Sequence, residues 1–136
     1  MSANLSTIQQ IYACFGQGDV PGILEKLDEN VRWEDWADNS AQNADVTWMQ
    51  LRIGKAGAME FFQHLGTKLK ISDFQVLSMM DGGDKIAVEF VIEAELLMTG
   101  KRYRDEEIHL WSFNSAGKVI RLRHYLDTHK HIEVSK

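Results

Sequence analysis

The chain has 136 residues, 44% hydrophobic and 26% charged, with a formal net charge of −5. That length implies one domain spanning 1–136; the composition excludes disorder and collagen-like repeats, and the negative balance excludes the clustered Lys and Arg of a nucleic-acid or membrane-surface binder. The lone Cys14 can form no intrachain disulfide, the N-terminus lacks a signal-peptide pattern, and no apolar run approaches the ~20 residues that cross a bilayer, so a soluble protein in a reduced, cytoplasmic setting is expected.

Leu5, Ile8, Ile11, Tyr12 and Phe15 fall on one helical stripe, which Gly16 and Gly18 end. Asp19 is an N-cap and Pro21 a first-turn residue for a second helix with Ile23, Leu24 and Leu27 on its apolar face. Residues 31–36 read as a short strand in which Trp33 and Asp35 share a face. Residues 37–53 read as an irregular segment placed to cover a site or an interface. A third helix over 55–68 carries Met59, Phe62 and Leu65, and strands follow over 71–80, 85–97, 102–113 and 118–127, separated by Gly-containing turns. Three helices followed by an antiparallel meander predict an α+β fold.

The strand from Lys85 alternates cleanly, which turns Ile86, Val88, Phe90, Ile92 and Ala94 inward. If Met98–Lys101 is a four-residue hairpin loop, Leu97 pairs with Arg102, Ile92 with Glu107 and Phe90 with His109, so Asp105, Glu107, His109, Trp111 and Phe113 also face in. A turn through Asn114–Gly117 then sets Glu107 opposite His124 and His109 opposite Leu122, with Ile120, Leu122, His124 and Leu126 inward. A slip of one residue would instead bury Glu106, Ile108 and Leu110. The resulting pocket joins apolar Phe90, Ile92, Trp111, Leu122 and Leu126 to Glu107, His109 and His124, with Trp33 and Asp35 approaching from the first strand. A greasy cavity with a few convergent titratable groups is the usual make-up of a small-molecule site.

The run Phe113-Asn114-Ser115-Ala116-Gly117-Lys118-Val119, the strand Ile120 to Asp127, Asp19-Val20-Pro21-Gly22-Ile23 and Val31-Arg32-Trp33-Glu34-Asp35 together resemble ketosteroid isomerase. The resemblance covers about 5–37 and 100–131. It implies the nuclear transport factor 2-like superfamily: a cone-shaped α+β barrel whose N-terminal helices pack on a strongly curved, mostly antiparallel sheet around one deep pocket. In that family an aspartate base removes a proton beside a carbonyl, while a tyrosine and a protonated aspartic acid donate hydrogen bonds to the enolate oxygen. The base falls on Asp35 and the acid on His109; the tyrosine falls on Ile11, with Tyr12 adjacent. The chain is also similar, more loosely, to SnoaL-like polyketide cyclases and to limonene epoxide hydrolases, whose shared aspartate falls on His124. The hydrolases' Arg and Asp on the preceding strand are replaced by Phe90 and Ile92, which argues against epoxide hydrolysis.

The expected catalytic set is therefore Asp35, Glu107, His109 and His124, with Tyr12, Trp33, Phe90, Ile92, Trp111 and Leu122 holding a small apolar carbonyl compound. Each has a plainer reading: Asp35 as a loop cap, Glu107 and His124 as a cross-strand ion pair, and Trp33, Trp36, Trp48 and Trp111 as filling. Glu107, His109 and His124 have the composition of a metal site, yet neither metal nor cofactor is expected. His129 and His131, close to the C-terminus, are expected in solvent. Val91, Ile108, Leu110 and Tyr125 on the outer sheet face suggest a homodimer. The alternative to an isomerase or cyclase-like enzyme is a ligand-binding or dimerisation module of the same fold.

Overall fold

In the computed structural model, which describes residues 2–136, Ser2 accepts a hydrogen bond from the Leu5 N–H and so opens α1 (Ala3–Gly16). Ile8 and Ile11 are buried on that helix, while Tyr12 and Phe15 pack against the core from its edge. Asp19 caps α2 (Val20–Leu24) by accepting from the Gly22 N–H. The second helix is shorter than its apolar pattern suggests: Leu27 belongs to β1 (Leu27–Trp33), where it is buried against the sheet. The strand thus starts earlier than expected and ends at Trp33, because Glu34 adopts φ 61°, a left-handed conformation that ordinary side chains seldom take and that breaks the alternation of faces.

The segment expected to be irregular is built. Asn39 caps α3 (Ser40–Asn43), a 3₁₀ turn follows over Thr47–Met49, and β2 (Arg52–Ile53) pairs with β1. Next, α4 (Gly54–Lys68) buries Ala58 and Phe61, with Phe62 and Leu65 half-buried, whereas Met59, expected inside, is exposed. Four strands complete the sheet: β3 (Leu69–Asp81), β4 (Lys85–Leu96), β5 (Arg102–Phe113) and β6 (Val119–Tyr125). The strand order is β2-β1-β6-β5-β4-β3, antiparallel throughout except for the parallel β1/β6 pair. Two register shifts in the β3/β4 ladder bend the long outer strand, curling the sheet around the helices.

Both hairpin registers differ from the expected ones by two residues. Phe90 pairs with Glu107, Ile92 with Asp105 and His109 with His124. Since side chains alternate with period two, the inward set survives this shift: Ile86, Val88, Phe90, Ile92 and Ala94 on β4 are buried, as are Asp105, Glu107, Trp111 and Phe113 on β5. The exception lies beside the turn, where Gly117 takes φ 77°. A register shift between Ser112 and Phe113 seats Val119 opposite Phe113, so Val119 is buried and Ile120, expected inside, is exposed.

Beyond the sheet the chain forms α5 (Thr128–Val134), capped by Asp127, which the sequence pattern did not suggest. It docks through buried Val134 and His131, through the Lys130 ammonium donating to the Arg104 carbonyl, and through the Thr99 hydroxyl donating to the Val134 carbonyl.

Candidate functional site

Between α1, α4 and the concave face of the sheet lies a funnel. Its outer part, about 690 Å³, is bordered by Gly16, Asp19, Val20, Gly66, Ser72 and Asp73. It narrows past Tyr12, Phe15, Ile23, Phe62, Leu65, Ile71 and Phe74 into an inner chamber of about 70 Å³. Trp33, Phe90, Ile92, Glu107, His109, Trp111, Leu122 and His124 line that chamber, together with Ile11 and Phe61. At roughly 30 Å³ per water the chamber holds about two water molecules, so a larger occupant must displace the aromatic throat. Trp33 is one cause of the tightness, its ring centroid lying 5.6 Å from Phe61, 5.5 Å from Phe62 and 5.7 Å from Trp111.

Two sets of polar groups meet the chamber. In the first, the Trp111 indole N–H donates to the Tyr12 hydroxyl at 3.1 Å, and Tyr12 lies 2.6 Å from His109 Nδ1. An indole only donates, so the tyrosine oxygen accepts from Trp111, and since His109 Nδ1 is the one acceptor within its reach among the described residues, the tyrosine proton goes there. His109 is therefore the neutral Nε2–H tautomer. Burial, reinforced by the charge on His124, holds it well below the ordinary imidazole value, and burial pushes the Tyr12 hydroxyl far up, so that this pair stays uncharged. Its Nε2–H has no partner among the described residues and belongs to the chamber wall.

The second set is ionic. His124 Nδ1 lies 3.1 Å from Glu34 Oε1 and its Nε2 lies 2.6 Å from Glu107 Oε1, so each ring nitrogen donates to a carboxylate. Burial alone would strip the imidazole of its second proton, but the two carboxylates outweigh it and raise the group to about 10. Burial likewise opposes the charge on Glu107, and His124 with the His131 N–H overcomes it, holding the carboxyl well below its ordinary range. The network continues: His131 Nε2 is 2.8 Å from Glu107 Oε2 and 3.0 Å from Asp105 Oδ2, while the Trp48 indole donates to His131 Nδ1 at 2.8 Å.

Nine of the ten residues expected at the site thus line the chamber: Tyr12, Trp33, Phe90, Ile92, Glu107, His109, Trp111, Leu122 and His124. Asp35 does not. The left-handed turn at Glu34 sends its carboxylate outside, 3.2 Å from Arg32 Nε and 4.0 Å from Arg121 Nε. Leu126 is only half-buried and borders neither part of the funnel. Tyr12, rather than Ile11, is the residue that brings a hydroxyl to the site, although Ile11 also reaches the wall.

Two residues were missed. Glu34, 1% exposed, supplies the buried carboxylate that Asp35 was expected to supply; the run Glu34-Asp35 announced a carboxylate without saying which one turns in. His131, expected in solvent, is also 1% exposed; a helix of seven residues with only Ile132 and Val134 apolar gave little sign of docking. His129 is exposed as expected.

Asp105, Glu107 and His131 bring ligand-type atoms within 4.8 Å of one another, a spacing that a metal site shares. The protonation pattern points elsewhere. Because Trp48 donates to Nδ1, His131 carries its proton on Nε2, the atom facing both carboxylates, and has no lone pair there for an ion. His124 donates from both nitrogens and has none either.

A family model for the SnoaL-like domain matches residues 8–122, most of the chain. The chain belongs to the SnoaL-like domain family. Solved structures agree on the fold. A nuclear transport factor 2-like protein of unknown function from Burkholderia pseudomallei is 22% identical and superposes with a TM-score of 0.81 over 98% of both chains. A provisionally assigned polyketide cyclase from Pseudomonas putida is 20% identical, with a TM-score of 0.73 over 98% of both chains. TerC, crystallised with polyporic acid, is 26% identical, with a TM-score of 0.75 over 97% of this chain and 99% of its own. No curated protein matches this SnoaL-like domain in sequence. Its architecture is the expected one, an α+β fold with N-terminal helices on a six-stranded, mostly antiparallel sheet.

Proposed function

We propose that this SnoaL-like domain is an acid–base enzyme that moves a proton beside the carbonyl of a small, neutral, mostly apolar molecule. The supporting observation is a pair of imidazoles in opposite protonation states, 4.4 Å apart between ring centroids, at the wall of one apolar chamber. The His109 Nε2–H donates to the carbonyl oxygen, with Tyr12 and Trp111 fixing its tautomer. Negative charge developing on that oxygen is stabilised by the neighbouring His124 imidazolium; His124 already carries both ring protons, so the proton leaving carbon goes to the Glu107 carboxylate, which loosens its contact with His124 to accept it and then returns it. The substrate is read as neutral because no Lys or Arg borders either part of the funnel, while Asp19 and Asp73 sit at its mouth. That some of its structural neighbours are provisionally assigned isomerases and polyketide cyclases is consistent with this chemistry.

The test is proton exchange. In D₂O, NMR of 2-tetralone and related cyclic ketones should show exchange next to the carbonyl faster with protein than with buffer, and the acceleration should vanish in His109→Phe. Ketones that bind without exchange would favour the second reading, a ligand-holding module, which the engagement of both His124 nitrogens and both Glu107 oxygens and the small chamber also support.

A homodimer through the outer sheet face completes the proposal. On that face Glu89 and Glu93 of β4 stand apart from Arg121 and Arg123 of β6, so a second copy turned through a twofold axis can set acid against base around half-buried Ile108 and Leu110. Sedimentation as a monomer at micromolar concentration would reject it.

A further inference from the structure

None of α5 borders the funnel, yet its one buried histidine holds a group that does. His131 Nε2 lies 2.8 Å from Glu107 Oε2, while the other oxygen of the same carboxylate, Oε1, lies 2.6 Å from His124 Nε2. The second contact of that ring nitrogen, 3.0 Å to Asp105 Oδ2, lets one N–H bridge two carboxylates that would otherwise repel in a dry environment. Its other nitrogen is held from behind by Trp48 at 2.8 Å, and its ring packs 4.7 Å from Tyr103 between centroids. The arrangement is fixed on all sides.

We propose that His131 is a positioning residue of the inner site, holding the Glu107 carboxylate against His124 so that docking of the C-terminal helix governs the charge state of the chamber wall. The proposal rests on the reading of Glu107 and His124 as working groups, but it concerns their protonation and not turnover. The groups facing His124 are Glu34 from the end of β1 and Glu107 and His109 from β5; Asp105 and Lys130, 3.7 Å apart, lie further along the chain of contacts. Without the His131 donor, Glu107 Oε2 is left buried beside Asp105. Asp105 then repels the freed oxygen, the Glu107 carboxylate turns out of line, and its 2.6 Å contact with His124, which keeps that ring charged, is weakened. The carboxylates also draw His131 itself towards its charged form against burial, raising its proton affinity, while the Trp48 N–H opposes a proton on Nδ1.

Long-range ¹H–¹⁵N NMR of the histidine rings in the intact protein at pH 8 is the direct test. His124 should be protonated on both nitrogens and His131 on Nε2 alone; a proton on His131 Nδ1 would overturn the proposal without any variant. In His131→Phe, which keeps the ring and removes the donor, the His124 midpoint should fall by about one pH unit or more, and His131→Gln, which retains an N–H, should restore most of the loss. A folded His131→Phe protein whose His124 titrates as in the wild type would also overturn it. Should the protein exchange no ketone proton and still show this dependence, the positioning role stands and the proposed reaction falls.

Discussion

His109 and His124 sit directly opposite each other on neighbouring strands and differ in almost everything else. His109 meets a hydroxyl and two aromatic rings, Phe90 at 4.3 Å and Trp111 at 5.7 Å between centroids, and no carboxylate bonds either of its nitrogens. His124, more deeply buried, has a carboxylate on each nitrogen. Burial pulls both imidazoles towards the neutral form, and two ionic partners reverse the outcome for one of them. The comparison teaches that depth alone does not set protonation here; the identity of the hydrogen-bond partner does.

Removing the charged member should break the contrast most severely. His124→Leu leaves Glu34 and Glu107 buried without the cation between them, and urea unfolding should show a loss of about 3–5 kcal/mol. A loss below ~1 kcal/mol would mean that the two carboxylates do not depend on His124 for their compensation.

The same contrast predicts a pH profile. His124 binds its proton more tightly folded than unfolded, so its contribution is complete below about pH 6.5 and is lost as pH rises towards about 10. Urea midpoints should therefore decline between pH 7 and 10, with a slope of up to ~1.4 kcal/mol per unit. His109 has the opposite sign: folded, it resists protonation, so stability should also fall as pH drops below about 6.5. Glu107, held low, adds to the acid-side loss below the ordinary carboxylate range. A profile flat from pH 7 to 10 would contradict a charged His124.

Tyr12→Phe sharpens the neutral side. It leaves the Trp111 N–H and His109 Nδ1 without their shared partner, at a cost of about 1–2 kcal/mol, and it frees His109 to exchange tautomers, which ring ¹⁵N shifts would report. Asp35→Asn should do least: an ion pair with Arg32, whose own side chain is half in solvent, is lost, worth up to about 1 kcal/mol, and ketone exchange should continue at the wild-type rate. A large rate loss there would return Asp35 to the site.

Much was legible in the sequence because it depends on period. Alternation along residues 85–97 and 102–113 named the inward faces of β4 and β5, and those faces survived a register error of two because side chains repeat every second residue. Helical spacing placed Ile8, Ile11 and Tyr12, the Gly-containing turns marked the hairpins, and the motifs around Asp19 and Gly117 pointed to the fold. Local patterning together with the family resemblance thus led to the α+β architecture and to ten site residues, nine of which line the chamber.

Only the tertiary structure decided which carboxylate turns inward and what protonates what. One left-handed residue exchanges Asp35 for Glu34, and a local backbone conformation of that kind carries no periodic signature. His131 reaches Glu107 from 24 positions away, in a helix too short and too polar to advertise a buried face. The protonation states of His109 and His124 depend on Tyr12, Glu34 and Glu107, groups that are distant in sequence and become neighbours only when the sheet curls around the helices. Periodicity reports the face a residue occupies, whereas charge depends on the partners that folding brings to it.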